Sequence, residues 1–97
     1  MAENFNSLNI PKGEELLPIG TVVTLEFVEQ AVMIYGRKQE QANNDKIWDY
    51  VACPYPQGHI SNDTNVFFDH SQIREVVHQG LITDGEIAFR RELKKLI

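Results

Sequence analysis

The chain has 97 residues, 42% of them hydrophobic and 24% charged, with a formal net charge of −5, the profile of one soluble globular domain and not of a disordered chain. No apolar run approaches the roughly 20 residues that span a bilayer, so no membrane association is expected. The acidic balance argues against nucleic acid, whose binders neutralise phosphates with clustered Lys and Arg.

Residues 1–15 are mostly polar, with Asn4, Asn6 and Asn9 among Ser7, Pro11 and Gly13, and read as a flexible N-terminal arm. The first twenty residues have neither a basic n-region nor an apolar h-region, so no secretory leader is expected. Residues 16–97 read as one domain without an internal linker. LLPIG (16–20) turns the chain into a first strand, TVVTLEFV (21–28), where Val23, Leu25 and Phe27 alternate with Thr24 and Glu26; period two with β-branched residues marks a half-buried strand. VEQ (28–30) is short enough for a hairpin. AVMIYGRKQ (31–39) is the second strand, with Gly36 where a bulge or bend would re-aim the chain. The polar stretch 40–46 carries Asn43, Asn44 and Asp45 and predicts a hairpin loop.

KIWDYVACPY (46–55) is the third strand. Ile47, Val51 and Cys53 share one face, interrupted by Asp49, while Trp48, Tyr50 and Ala52 share the other. A strand apolar on both faces is central or presents aromatics to a partner. Pro56 and Gly58 predict a turn at 56–59, SNDTN (61–65) a polar break, and VFF (66–68) a short strand. DHSQIREVVHQG (69–80) admits a capped helix or a tight turn at 70–73 followed by a strand. The adjacent Val76 and Val77, and the stop at Gly80, favour turn and strand.

Thr83-Asp84-Gly85-Glu86 predicts a capping box, with Thr83 accepting from a free N–H and Glu86 reaching back to the cap. Phe89, Leu93 and Leu96 then fall on one helical face, and Arg90, Arg91, Lys94 and Lys95 suit the C-terminal end of the dipole. Charge follows this division: residues 1–83 carry five Lys/Arg against eleven Asp/Glu, residues 84–97 four against three. The expected fold is α+β: a small, strongly bent antiparallel sheet or SH3-like barrel of about five strands with a C-terminal helix.

No catalytic constellation stands out. Cys53 and His59 are separated by six residues of Pro-containing extended chain, roughly 18–20 Å unless the 56–58 turn folds back, and nothing nearby would lower a thiol pKa. A lone cysteine is usually a small buried hydrophobe, and it suits a cytoplasmic protein. His59, His70, His78, Cys53, Asp49 and Asp69 form no C-x-x-C, H-x-H or H-E-x-x-H pattern, so no metal and no cofactor are expected. Asp49 is notable because it breaks an apolar face; a carboxylate there is either bonded to turn N–H groups or perturbed for function. The six glycines are too dispersed for a phosphate loop.

The stretches LLPIGTVVTL, AVMIYGR, KIWDYVACPYPQGHI and VFFDHSQIREVVHQGL, in that order, resemble a small bacterial family, domain-of-unknown-function family 4176, found in Gram-positive bacteria. The resemblance covers about residues 16–97, through Leu17-Pro18-x-Gly20, Tyr35-Gly36-Arg37, Asp49-Tyr50, Tyr55-Pro56-x-Gly58 and the Phe68-to-Gly80 block. It implies a gene in a type VII secretion locus beside LXG toxins and small helical companion proteins. The function it implies is a cytoplasmic, non-enzymatic accessory, an adaptor or chaperone that binds a secretion substrate; the alternative is an immunity-type inhibitor of a co-encoded toxin. The partner is then a protein, met at a sheet edge or in a groove beside the helix; oligomeric state stays open. Arg37, Asp49, Tyr50 and Tyr55 are the family positions whose side chains can meet a partner, and Trp48, Phe89 and Leu93 are added from the aromatic strand and the amphipathic helix.

Overall fold

The computed structural model describes residues 10–41 and 45–96. Five strands, β1 (Val22–Leu25), β2 (Val32–Glu40), β3 (Ile47–Pro54), β4 (Val66–Phe68) and β5 (Ile73–His78), precede one helix, α1 (Asp84–Lys94). The strands form one antiparallel sheet in the order β4-β3-β2-β1-β5. It is an α+β fold with an open sheet. The barrel alternative is not realised: Leu16, Leu17 and Leu93 close the apolar face instead, packing with Val23, Leu25, Ile34, Tyr50 and Phe68 in one core cluster.

Local sequence explains most of these elements. Tyr50 and Ala52 on one face of β3, and Val51 and Cys53 on the other, are all buried, which fits a strand with neighbours on both sides. At Gly36 the β2–β3 register shifts, the expected bulge, and a Cβ there would lie 2.6 Å from Val51 Cγ1. Gly58 takes φ +79° in the turn after β3 and donates to the Pro54 carbonyl at 2.7 Å; the Tyr55–Pro56 peptide is cis. The 69–80 segment is a single 3-10 turn, His70–Gln72, running into β5, as the paired valines suggest. β1 is shorter than expected, ending at Leu25, and Phe27 lies beyond it, 53% exposed.

Two features of α1 differ from the sequence reading. Thr83 does accept from the Glu86 N–H, at 3.1 Å, but the Glu86 carboxylate does not return to the cap; it binds Arg37 on β2. That pull turns Glu86, Arg90 and Leu93 towards the sheet, so Leu93 is the helix's buried residue while Phe89 and Leu96 stay 55% and 57% exposed.

Of the expected arm, residues 1–9 lie outside the described residues, as do Asn43 and Asn44 of the 40–46 loop. Ile10 forms one antiparallel bridge to Val76, and Lys12 Nζ donates to the His70 carbonyl at 3.2 Å. Residues 10–18 thus run across the sheet as a strap.

Candidate functional site

The densest polar cluster joins the start of β3 to the 3-10 turn at 70–72. Asp49 accepts from Lys38 Nζ at 2.8 Å through one oxygen and from the His70 backbone N–H at 2.9 Å through the other. Asp69 accepts from the Asp49 N–H at 3.2 Å and from Lys46 Nζ at 2.8 Å. His70 Nε2 lies 2.9 Å from the Gly13 carbonyl, which can only accept, so Nε2 carries the hydrogen. Nδ1 is then the acceptor, and the Tyr50 hydroxyl, 2.6 Å away, donates to it. The Tyr50 oxygen in turn accepts from the Leu17 N–H at 3.0 Å. The tautomer follows from this network.

Charges respond to these contacts. Burial by itself would raise the Asp49 carboxyl, but the His70 N–H and the Lys38 ammonium outweigh it and hold the group below its ordinary value. Burial pushes the Tyr50 phenol well above its ordinary value, so it remains a hydroxyl and a donor. The polar atoms that could serve an acid or base are engaged in bonds that fasten the strap and the turn to the sheet. Among the described residues, no three His, Cys, Asp or Glu side chains gather as a metal site.

A second cluster lies between β2 and α1. Arg37 holds both Glu86 oxygens, at 2.5 and 2.8 Å, and donates to the Leu17 carbonyl at 3.3 Å. Arg90 Nε lies 3.5 Å from the same carboxylate. The three side chains are only 3%, 11% and 15% exposed for Arg37, Glu86 and Arg90.

The third feature is apolar. Val22 and Met33 are paired across β1 and β2 and alternate with the core residues Val23, Val32 and Ile34, so they point to the face turned away from the core. With Ala31, Tyr55 and Val77 they line an open cleft of about 470 Å³. Tyr55 and Val77 are 51% and 56% exposed. Gln30 fixes the chain at this end of β3 by donating its side-chain amide to the Tyr55 carbonyl, and the Tyr55 N–H donates to Ala31 at 2.9 Å.

The seven residues expected to meet a partner separate accordingly. Tyr50 and Leu93 are core, and Arg37 is buried in its ion pair; their burial leaves them no surface to offer. Asp49 serves the polar cluster. Trp48 is half-buried, its ring under Lys46 Nζ at 4.2 Å and its Nε1 buried without a hydrogen-bond partner. Tyr55 opens on the apolar cleft. Phe89 stacks its exposed ring beside Arg37, 5.6 Å from the guanidinium carbon. Arg37 and Phe89 are therefore brought together, and Asp49 and Tyr50 meet through His70, whereas Tyr55 stands apart. Cys53 is buried with its thiol towards the Met33 carbonyl, and His59 bonds Asn65 and packs edge-on to Tyr35, so the two are engaged separately.

The sequence did not place Val77 or Met33 among the partner-binding candidates. The available signal was the Val76–Val77 pair: neighbours on a strand point to opposite faces, so when Val76 enters the core, Val77 must leave it.

A five-stranded antiparallel sheet with a strap and one helix on a single face defines a small α+β domain. Residues 16–89 match the family described as domain of unknown function DUF4176, and the chain belongs to that family. No curated protein and no solved structure matches it.

Proposed function

We propose that this protein is a non-enzymatic protein-binding accessory, an adaptor or chaperone for a type VII secretion substrate such as an LXG toxin. The observation that carries the reading is the apolar cleft on the outer face of the sheet, lined by Val22, Met33, Tyr55 and Val77. Tyr55 and Val77 are about half exposed on it while Val22 forms its buried floor; a concave apolar cleft is the default shape of a binding site, and an aromatic anchor such as Tyr55 is the residue type that carries interface energy. The engagement of His70, Tyr50 and Asp49 in fastening bonds supports binding over catalysis.

Co-expression of the tagged chain with an LXG toxin and its helical companions tests this. A complex that survives size-exclusion chromatography is expected, and Val77→Glu is expected to abolish it while leaving the circular dichroism spectrum unchanged. A monodisperse monomer that retains neither toxin nor companion would sink the reading.

A further inference from the structure

A second cleft, independent of the outer-face reading, lies between α1 and the strap. Arg90, Arg91 and Lys94 line it from the helix, Glu15 from the strap, and Ile82 and Ile87 form its apolar part; its volume is about 490 Å³. Three cations against one carboxylate make this a basic cleft in a chain whose first 83 residues carry five Lys/Arg against eleven Asp/Glu.

The cations are incompletely neutralised. Glu86 already gives both oxygens to Arg37 and is shared with Arg90, so two guanidinium groups rest on one carboxylate in a largely buried site. Excess charge in such a site is costly until a further anion balances it. The Nε atoms of Arg37 and Arg90 are buried without hydrogen-bond partners. Arg91 is exposed and has no carboxylate partner among the described residues. Among the described residues Lys94 is held only by Glu15 at 3.1 Å, with the two side chains 60% and 53% exposed, an exchangeable surface pair.

We propose that this cleft docks an acidic amphipathic helix of a partner protein. One of its carboxylates would bind the Arg90 fork and compete with Glu15 for Lys94, with Arg91 at the rim. An apolar side chain one turn away, at i+3 or i+4, would cover Ile82 and Ile87, which are each 40% exposed. Charge complementarity selects this occupant. A nucleic-acid backbone would supply anions but leave the isoleucines wet, and the acidic remainder of the surface would repel a long polyanion.

The test is a 1H–15N NMR titration of the full chain with two short helical peptides, one of Glu, Leu and Ala and one of Lys, Leu and Ala. The acidic peptide is expected to shift the amides of Ile82, Ile87 and Arg90 to Lys94. Its affinity should fall as salt rises and by about tenfold in Arg91→Glu, an exposed position whose substitution spares the fold. Val77→Glu, on the other cleft, should leave this binding unchanged, so loss of toxin capture in that variant and loss of acidic-peptide binding in Arg91→Glu are separable results. Equal binding of the basic peptide, shifts centred on Tyr55 and Val77, or indifference to Arg91→Glu would overturn the proposal. So would self-association of the chain that Arg91→Glu abolishes, because a second copy would then be the occupant.

Discussion

Arg37 on β2 grips Glu86 on α1 through both terminal guanidinium nitrogens, at 2.5 and 2.8 Å, and this pair decides which side of the helix faces the sheet. Leu93 is the helix's only buried residue among those described, so apolar packing alone fixes its rotation weakly. Removing one partner of a buried ion pair strands the other. Arg37→Ala is therefore expected to lower unfolding free energy by about 3 kcal/mol in urea denaturation, with faster amide exchange along 84–94. An unchanged exchange pattern would show that Leu93 suffices.

Asp49 should make stability sensitive to acid. Its folded-state pKa lies below the ordinary 3.8, so its contribution is complete above that value and disappears as pH falls through the folded pKa. Asp49→Asn is expected to be less stable than the parent at neutral pH, and the gap should close in acid below pH 3.8. Urea midpoints for both chains across that range measure it; a constant gap would remove the linkage.

The Tyr50 hydroxyl accepts from Leu17 N–H and donates to His70 Nδ1. Tyr50→Phe keeps the ring against Phe68, 5.2 Å between centroids, and deletes only those bonds. An orphaned buried donor costs about 1–3 kcal/mol, so a destabilisation in that range is expected, with protection lost first at the Leu17 amide. Hydrogen exchange at Leu17 is the discriminating measurement.

Gly36 tests the bulge. With Val51 Cγ1 2.6 Å from the position of an added Cβ, Gly36→Ala should cost about 1–3 kcal/mol by overpacking. Val51→Ala removes the obstructing methyl, so the double variant should be less destabilised than the sum of the two single variants. Simple additivity would mean that the clash is relieved elsewhere.

Much of the sheet was legible in sequence because period-two patterning reports burial directly. Val23, Leu25, Ile34, Tyr50 and Ala52 all reach the core from that signal. The turn at 56–58, the bulge at Gly36 and the strand after 70–72 follow from residue types with narrow backbone preferences. What escaped was set by contacts between distant residues. Glu86 belongs to a local capping pattern, yet Arg37, 49 positions earlier, takes its carboxylate. Tyr50 reads as an aromatic able to face a partner, yet the strap brings Leu17 to its hydroxyl and the 3-10 turn brings His70. Closure into a barrel was open in sequence because strand count does not say what covers the core; here Leu16, Leu17 and Leu93 do.

The two margins of the sheet carry a consequence for the manner of recognition. β4 contributes a ladder of only three residues, and the outer side of β5 is interrupted at Val76 by Ile10. Among the described residues, neither margin offers an incoming polypeptide a long run of free amides and carbonyls, the template on which added strands and runaway stacking both depend. In the proposed role, selectivity would then reside in side-chain chemistry, and a client would be held while keeping its own secondary structure.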